Sequence, residues 1–517
     1  MKKFMIALLA VAFGLALAVA ASADQDINVY GASAQFNFWS QLATTWLTSG
    51  SGGNCASATA SASGGVTSVP GYTTHGQKYF YAQGVNCGAV GTGNNINMRV
   101  TAGDSVDGIT AVAGDSYYFN NKVPGGQLDP LGCAGGTRTM LDNTAGTAFS
   151  CHAVTLGASD VTPDIFTQKT LYAGSYFDGP SGSSASWGPI NPTLSGAIPS
   201  VSGLTQYQPV VVPFGVWLNN TVQLSTCTGE ASGKIDAGTP CTTNSQCSSN
   251  VCGSAGNVTN LPLEWVTQIF AGKVKNWNDL NSAFSKEPVA ICLRVPGSGT
   301  MATFDYSVMK RVAYTLPTKE VTSNTTYPAT AANVWYNFTS GDMESCVKTV
   351  PGAIGLADAD DSKIPGNGGY GPVMLEGQMP TRTNIRTGLY DYFTVENLYE
   401  SAACTADTST TGCNQLVVNF TNFASLPGNV TASGKSLYAS SAEMLVTKSD
   451  TGYPLPNGGA QSLCELTGAS LVGGENPGAN CTGNSSVCKG STICVQESCA
   501  GNGSTPANTY NVPQLCP

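Results

Sequence analysis

The sequence predicts an α/β protein with at least two cores, cross-linked by disulfides in an oxidising compartment. Three observations lead there. Short apolar runs with strand character alternate with segments of helical spacing. The chain has 517 residues, well beyond one ordinary domain of about 100 to 200. Eighteen cysteines, an even number, all follow Ala23, which favours disulfides over thiol catalysis or a thiolate metal cluster.

Taken in order, Lys2 and Lys3 precede an apolar run from Phe4 to Ala20, and Ala21-Ser22-Ala23 has the form of a signal-peptidase site. Residues 1–23 are therefore expected to be a cleaved signal peptide, with Asp24 as the mature N-terminus and no lipoprotein cysteine at the cleavage point. No later segment approaches the about 18 consecutive apolar residues a membrane helix needs, so an exported, non-spanning protein is expected. Buried strands are expected at Ile27–Tyr30, Ala153–Leu156, Val210–Leu218, Val289–Leu293 and Ala353–Leu356. Helical spacing appears in Phe36, Trp39, Leu42, Ala43 and Trp46, in Leu263, Val266, Ile269 and Phe270, and in Met301, Phe304, Val308 and Val312.

Segments rich in Gly, Ser, Thr and Asn, at 48–71, 179–200 and 226–260, read as surface loops or insertions. Two resemble one another. Cys227, Cys241, Cys247 and Cys252 lie in one, and Cys464, Cys481, Cys488, Cys494 and Cys499 in the other, as in a repeated small module that cross-links must hold. Along the chain, Cys404 with Cys413 and Cys133 with Cys151 are near enough to pair. The net charge of −10 leaves no electrostatic footprint for nucleic acid or an anionic membrane, and any anion site must be built from local donors.

The candidate chemistry centres on Arg294-Val-Pro-Gly-Ser298-Gly-Thr300. As a nucleophile, Ser298 lacks the Gly-x-Ser-x-Gly elbow, and His75 and His152 are the mature chain's histidines, both in polar segments. As an anion cradle, the turn offers two glycines, hydroxyls on Ser298 and Thr300, the Arg294 guanidinium and the free N–H groups of a helix start. An ordinary N-cap would use the same residues. Similar junctions recur at Gly31–Phe36 and at Ala158–Asp164, where Thr162-Pro163 has the form of an N-cap followed by proline. Three junctions at strand ends can converge on one cleft.

The order of these motifs resembles that of the periplasmic phosphate-binding proteins of ABC-type phosphate uptake, the PstS-like members of the type II periplasmic-binding fold. Gly31–Phe36 is similar to the family's Gly-Ala-Gly-Ala-Thr-Phe, Gly157–Asp160 to its Gly-Ala-Ser-Asp, and Arg294–Thr300 to its Arg-x-Asp-Gly-Ser-Gly-Thr. Residues 261–280 resemble its helix and Gly-Lys-x-x-x-Trp turn, and Gly352–Gly355 its Gly-Ala-Ile-Gly strand. The resemblance implies a two-lobed fold of mixed sheets flanked by helices: 24–209 as the first part of lobe 1, 210–357 as lobe 2 with a cysteine-rich insertion at 226–260, 358–460 as the return, and 461–517 as a cysteine-rich module. Crossovers are expected near 206–213 and 355–361.

It also implies a binding protein rather than an enzyme, a monomer without cofactor or metal, periplasmic or extracellular, that holds phosphate or a similar oxyanion and delivers it to an ABC transporter permease. The implied ligand residues are the N–H groups around Gln35 and Phe36, Ser105, Arg294, Ser298, Gly299 and Thr300 as donors, with Asp160 as the acceptor that selects a protonated oxyanion. Two positions depart from the pattern. Gln35 stands for a threonine, which removes a hydroxyl but offers an amide donor, and Pro296 for the aspartate that holds the arginine, which sends Arg294 to another carboxylate such as Asp305 or Asp358. The alternative reading is a secreted interaction protein that reuses the fold and contacts a macromolecule through its disulfide-rich loops.

Overall fold

The computed structural model describes residues 24–63, 78–115, 129–166, 175–176, 198–228, 238–295, 297–309, 334–337, 339–450, 452–456, 462–466, 480–481 and 492–496. Residues 1–23, where a signal peptide is expected, together with Pro296, His75 and most of the second cysteine-rich segment, lie outside them.

Two mixed sheets organise the chain. The first has seven strands, in the spatial order Cys55–Ser63, Tyr79–Cys87, Ile96–Gly103, Gln25–Ala32, Leu156–Ser159, Asn397–Glu400 and Thr205–Tyr207. Its central strand, Gln25–Ala32, runs parallel to both neighbours. The parallel core is buried on both faces, and Ile27, Val29 and Tyr30 are its apolar residues. The helix Phe36–Thr48 covers one face with Phe38, Trp39, Leu42 and Trp46. Trp39 and Trp46 pack in turn on Phe420 of the helix Cys413–Ala424. Ser105–Val112 covers the other face and comes close because Gly31, Gly108 and Gly157 lack side chains: a Cβ on Gly108 would stand 2.4 Å from the Ala158 carbonyl oxygen.

The second sheet has nine strands built around Val210–Asn219. The outer half of that strand pairs antiparallel with Ala353–Asp358 and Gly369–Leu375, while Val210–Pro213 pairs with Phe393–Val395 and Ala439–Ser440. Ala290–Arg294 lies between Ala353–Asp358 and Val334–Asn337, parallel to both. The Cys292–Cys346 disulfide ties it to the covering helix Ser340–Thr349.

One crossover falls where the sequence placed it, between Thr205–Tyr207 of the first sheet and Val210–Asn219 of the second. The return does not. Gly369–Leu375 still belongs to the second sheet, and the chain rejoins the first only through 393–400, well after 355–361. Ser175–Tyr176, inside the segment assigned to the first lobe, pairs at the edge of the second sheet.

Two strand expectations also change. Ala153–Leu156 is no single strand: the hairpin strand Phe149–Ala153 ends there and Leu156–Ser159 begins. Within the polar segment 48–71, Cys55–Ser63 is an edge strand paired along its whole length with Tyr79–Cys87, and the Cys55–Cys87 disulfide pins the register. Cys133–Cys151 and Cys404–Cys413 are bonded, and Cys227–Cys247 with Cys241–Cys252 knot the first cysteine-rich insertion. No helix of the described residues is long and apolar enough to cross a membrane.

Candidate functional site

The two lobes meet along a seam built from loops at the ends of their parallel strands. Gln25–Ala32, Ile96–Gly103 and Leu156–Ser159 of the first sheet end in Ser33–Gln35, Asp104–Ser105 and Asp160. Ala290–Arg294 of the second ends in the turn to Ser298–Thr300, which opens the helix Gly299–Phe304. Open α/β sheets place their ligands at such strand ends.

Asp160 is the centre of the seam. Gln35 Nε2 donates to its Oδ1 at 2.6 Å, and the hydroxyls of Ser105 and Thr300 to its Oδ2 at 3.3 and 3.4 Å. Burial pushes its carboxyl above the usual range, against the pull of these donors and of Arg294. Ser105 also receives the Gly299 N–H at 3.1 Å, and the Val106 N–H donates to the Gly297 carbonyl at 3.0 Å. The residues singled out by sequence as Gln35, Ser105, Asp160, Gly299 and Thr300 thus form one hydrogen-bonded group with members from both lobes.

Arg294 is 2 % exposed and lies in the same seam. Its Nε donates to the Asn337 carbonyl at 3.2 Å and its Nη1 to the Ser340 hydroxyl at 3.4 Å, both in its own lobe. Its Nη2 reaches across to Ser33 Oγ at 3.2 Å and to Asp104 Oδ1 at 3.0 Å. Asp104 supplies a carboxylate to Arg294, and the candidate Asp358 is engaged by Lys435 and Tyr438. The Ser298 hydroxyl is buried and has no hydrogen-bond partner among the described residues. Ser298 is thereby an uncommitted donor in the seam, and Thr303 Oγ1 and Asn337 Oδ1 are likewise buried without a hydrogen-bond partner among the described residues.

Gln35 contributes the amide donor that its replacement of threonine offers, and the amide oxygen also accepts from Trp39 Nε1 at 3.0 Å. The Phe36 N–H is committed to the Ser33 carbonyl in a tight 3-10 turn, so Phe36 closes the turn and starts the helix. Thr162 is the N-cap of the 3-10 turn Pro163–Ile165, with proline at its start as expected, but its hydroxyl makes no cap bond and donates to Asp450 at 2.8 Å, as does its N–H at 2.7 Å. His152 is occupied by Asp142 and Ser150 in the hairpin, at 2.9 and 2.8 Å, and no base contacts Ser298 among the described residues.

Three residues of this region escaped the sequence reading. Asp104 and Ser33 sit in the junctions already noticed, but nothing local links either to Arg294. Glu396, in the return crossover, is fully buried with neither carboxylate oxygen hydrogen-bonded among the described residues. Burial, with Asp160 adding to it, drives its carboxyl well above the ordinary value.

Residues 247–402 match the family model described as the PBP superfamily domain. A phosphate-binding protein from Stenotrophomonas maltophilia is similar at 12 % identity, covering 80 % of this chain and 90 % of that one with a TM-score of 0.39. A high-affinity periplasmic phosphate-binding protein solved with phosphate is similar at 14 % identity, with the same coverages and a TM-score of 0.38. An ABC-type phosphate transport receptor from Vibrio cholerae is similar at 16 % identity over 45 % of this chain and 71 % of that one, with a TM-score of 0.28.

Proposed function

We propose that this chain is a solute-binding protein that captures phosphate, or a similar protonated tetrahedral oxyanion, between its two lobes. The observation that carries the reading is the convergence on one buried carboxylate, Asp160, of donors from both lobes: Gln35 and Ser105 from the first, Thr300 from the second. Arg294 lies in the same seam, as does the Ser298 hydroxyl, which has no hydrogen-bond partner among the described residues.

The chemistry follows from donor and acceptor counting. Neutral amide and hydroxyl donors can each turn from the carboxylate to a ligand oxygen, and Arg294 adds charge. Asp160, when ionised, only accepts, so it favours an oxyanion that still carries a proton and places two acceptors face to face with one that does not. Phosphate near neutral pH has that proton; sulfate lacks it. Because donors come from both lobes, a ligand bound here bridges them, and closure about the crossovers at 205–213 and 393–400 is the functional step. The same reading has the chain exported and serving an ABC-type uptake system.

Isothermal titration with phosphate and with sulfate tests it. Wild type is expected to bind phosphate and to reject sulfate, and Asp160→Asn to narrow the difference by at least about tenfold, since the amide can donate to an unprotonated oxygen. Equal binding of both anions by wild type would refute the role given to Asp160.

A further inference from the structure

Glu396 sits where the return strand changes sheets. Phe393–Val395 pairs with Val211–Pro213 of the second sheet and Asn397–Glu400 with Leu156–Ser159 of the first, so Glu396 is the residue between the two ladders. Its N–H donates to the Val210 carbonyl of the facing crossover strand at 2.9 Å. Its side chain is fully buried, and neither carboxyl oxygen has a hydrogen-bond partner among the described residues. The ladder to the first sheet ends with Asn397 opposite Ser159, and its next step would set Glu396 opposite Asp160. Thr394, on the same side of the extended chain, donates its hydroxyl to the Asp160 carbonyl.

The charged group that acts on Glu396 is accordingly Asp160, and its titratable neighbour on the return strand is Tyr399. The facing crossover strand brings the uncharged amides of Gln206 and Gln208, both of which donate to Asn397. Around the hinge, Tyr207 donates to Glu400, Glu443 pairs with Arg382, and Lys448 donates to Ser307 and to the carbonyls of Asp391 and Phe393. A carboxyl buried without donors, beside a second carboxyl, is costly to ionise, and both causes push it well above the ordinary 4.5. Hydration restores the ordinary acidity, so the position of the hinge and the charge of this group are linked.

We propose that Glu396 couples lobe closure to protons: closing buries it as a neutral acid at the pivot, opening hydrates it and lets it ionise, and phosphate binding therefore takes up a proton at the hinge. This rests on the reading of the chain as a phosphate-binding protein that closes about its crossovers. The closed state holds the proton and the open state releases it, so affinity rises as pH falls toward the ordinary glutamate value. Above that value each pH unit costs up to about tenfold, until the closed state ionises as well. Near neutral pH the empty protein is thereby biased toward opening, and the ligand supplies the free energy of closure.

Isothermal titration of the mature protein with inorganic phosphate at pH 8.5, in buffers of different ionisation enthalpy, counts the protons exchanged. At that pH phosphate is almost wholly the singly protonated dianion and contributes little of its own. Wild type is expected to take up at least about half a proton more than Glu396→Gln, which keeps the shape and cannot ionise. Glu396→Met, apolar and of similar size, serves if the amide unsettles the hinge. It is expected to bind phosphate at least about tenfold more tightly than wild type at pH 8.5, with a smaller advantage at pH 5.5. A Glu396 that merely packs the hinge would change the Tm of the variants and leave the proton count as in wild type; that count in both variants would overturn the coupling. Failure of the wild type to bind phosphate would overturn the ligand reading itself and the coupling with it.

Discussion

Gly299 packs directly against the first lobe within the site, and replacing it by alanine separates closure from folding. An added Cβ would stand 2.4 Å from Asp160 Cβ, 2.6 Å from Ser105 Oγ and 2.8 Å from Asp160 Oδ2. Non-bonded carbons settle at about 3.5 to 4.0 Å, so roughly 1 Å of separation is required. Asp160 Cβ is fixed to its backbone and cannot swing aside. The obstructing atoms belong to the first lobe and Gly299 to the second, so the clash is relieved by parting the seam and leaves either core intact. A parting of that size weakens Gly299 N–H to Ser105, Val106 N–H to Gly297, Thr300 to Asp160 and Arg294 to Asp104. At about 0.5 to 1.5 kcal/mol for each neutral bond, and more for the charged one, the closed state loses roughly 2 to 4 kcal/mol. Gly299→Ala is therefore expected to bind phosphate about 30- to 700-fold more weakly while its Tm stays within a few degrees of wild type. Isothermal titration and calorimetry measure the two quantities. Wild-type affinity in Gly299→Ala would refute the seam geometry, and a collapse of Tm would refute the separation of closure from folding.

Other consequences concern pH and covalent restraint. Burial, reinforced by Asp107 and Asp342 and opposed by Arg294, pushes the Asp104 carboxyl up to about 7 from an ordinary 3.8. The folded protein thus holds this proton more tightly than the unfolded chain, and its stabilising contribution is complete below about pH 4 and lost as pH rises to about 7. The gain in Tm on going from pH 7.5 to 5.5 should be larger in wild type than in Asp104→Asn; an equal gain would show that Asp104 is not the group responsible. The Cys292–Cys346 bond closes a loop with a sequence separation of 54. Loop-closure entropy puts its contribution at about 4 kcal/mol. Urea unfolding of Cys292→Ala/Cys346→Ala should show a loss of that order, and an unchanged midpoint would contradict it.

The legible part of the fold was the part with long, regular apolar patterning. Gln25–Ala32, Phe36–Thr48, Val210–Asn219 and Leu263–Phe270 bury wide faces, and their residues recur at the spacing the element requires. Cys55–Ser63 was missed because an edge strand of Ala, Ser and Thr buries little, and its strand state comes from the neighbour that pairs with it. The split at Ala153 was missed because an apolar run does not reveal where one ladder ends and another begins. In the site, Gln35, Ser105, Asp160, Arg294 and Ser298–Thr300 could be named because each sits in a short strand-to-helix junction with its own residue signature. How each acts was less visible. Phe36, expected to offer its N–H to the ligand, spends it inside the turn.

By itself the sequence determined the alternation of strands and helices, the donor-rich junctions and the presence of a carboxylate among them, since all of these rest on contacts within a few residues. The tertiary structure alone decided that Asp104 meets Arg294, where the chain returns to its first sheet, and that the Ser298 hydroxyl has no hydrogen-bond partner among the described residues. Those outcomes depend on pairing between distant segments, Asp104 with Arg294 across 190 positions and Phe393–Val395 with Val211–Pro213. Spacing along a chain carries no information about such partners until the sheets bring them together.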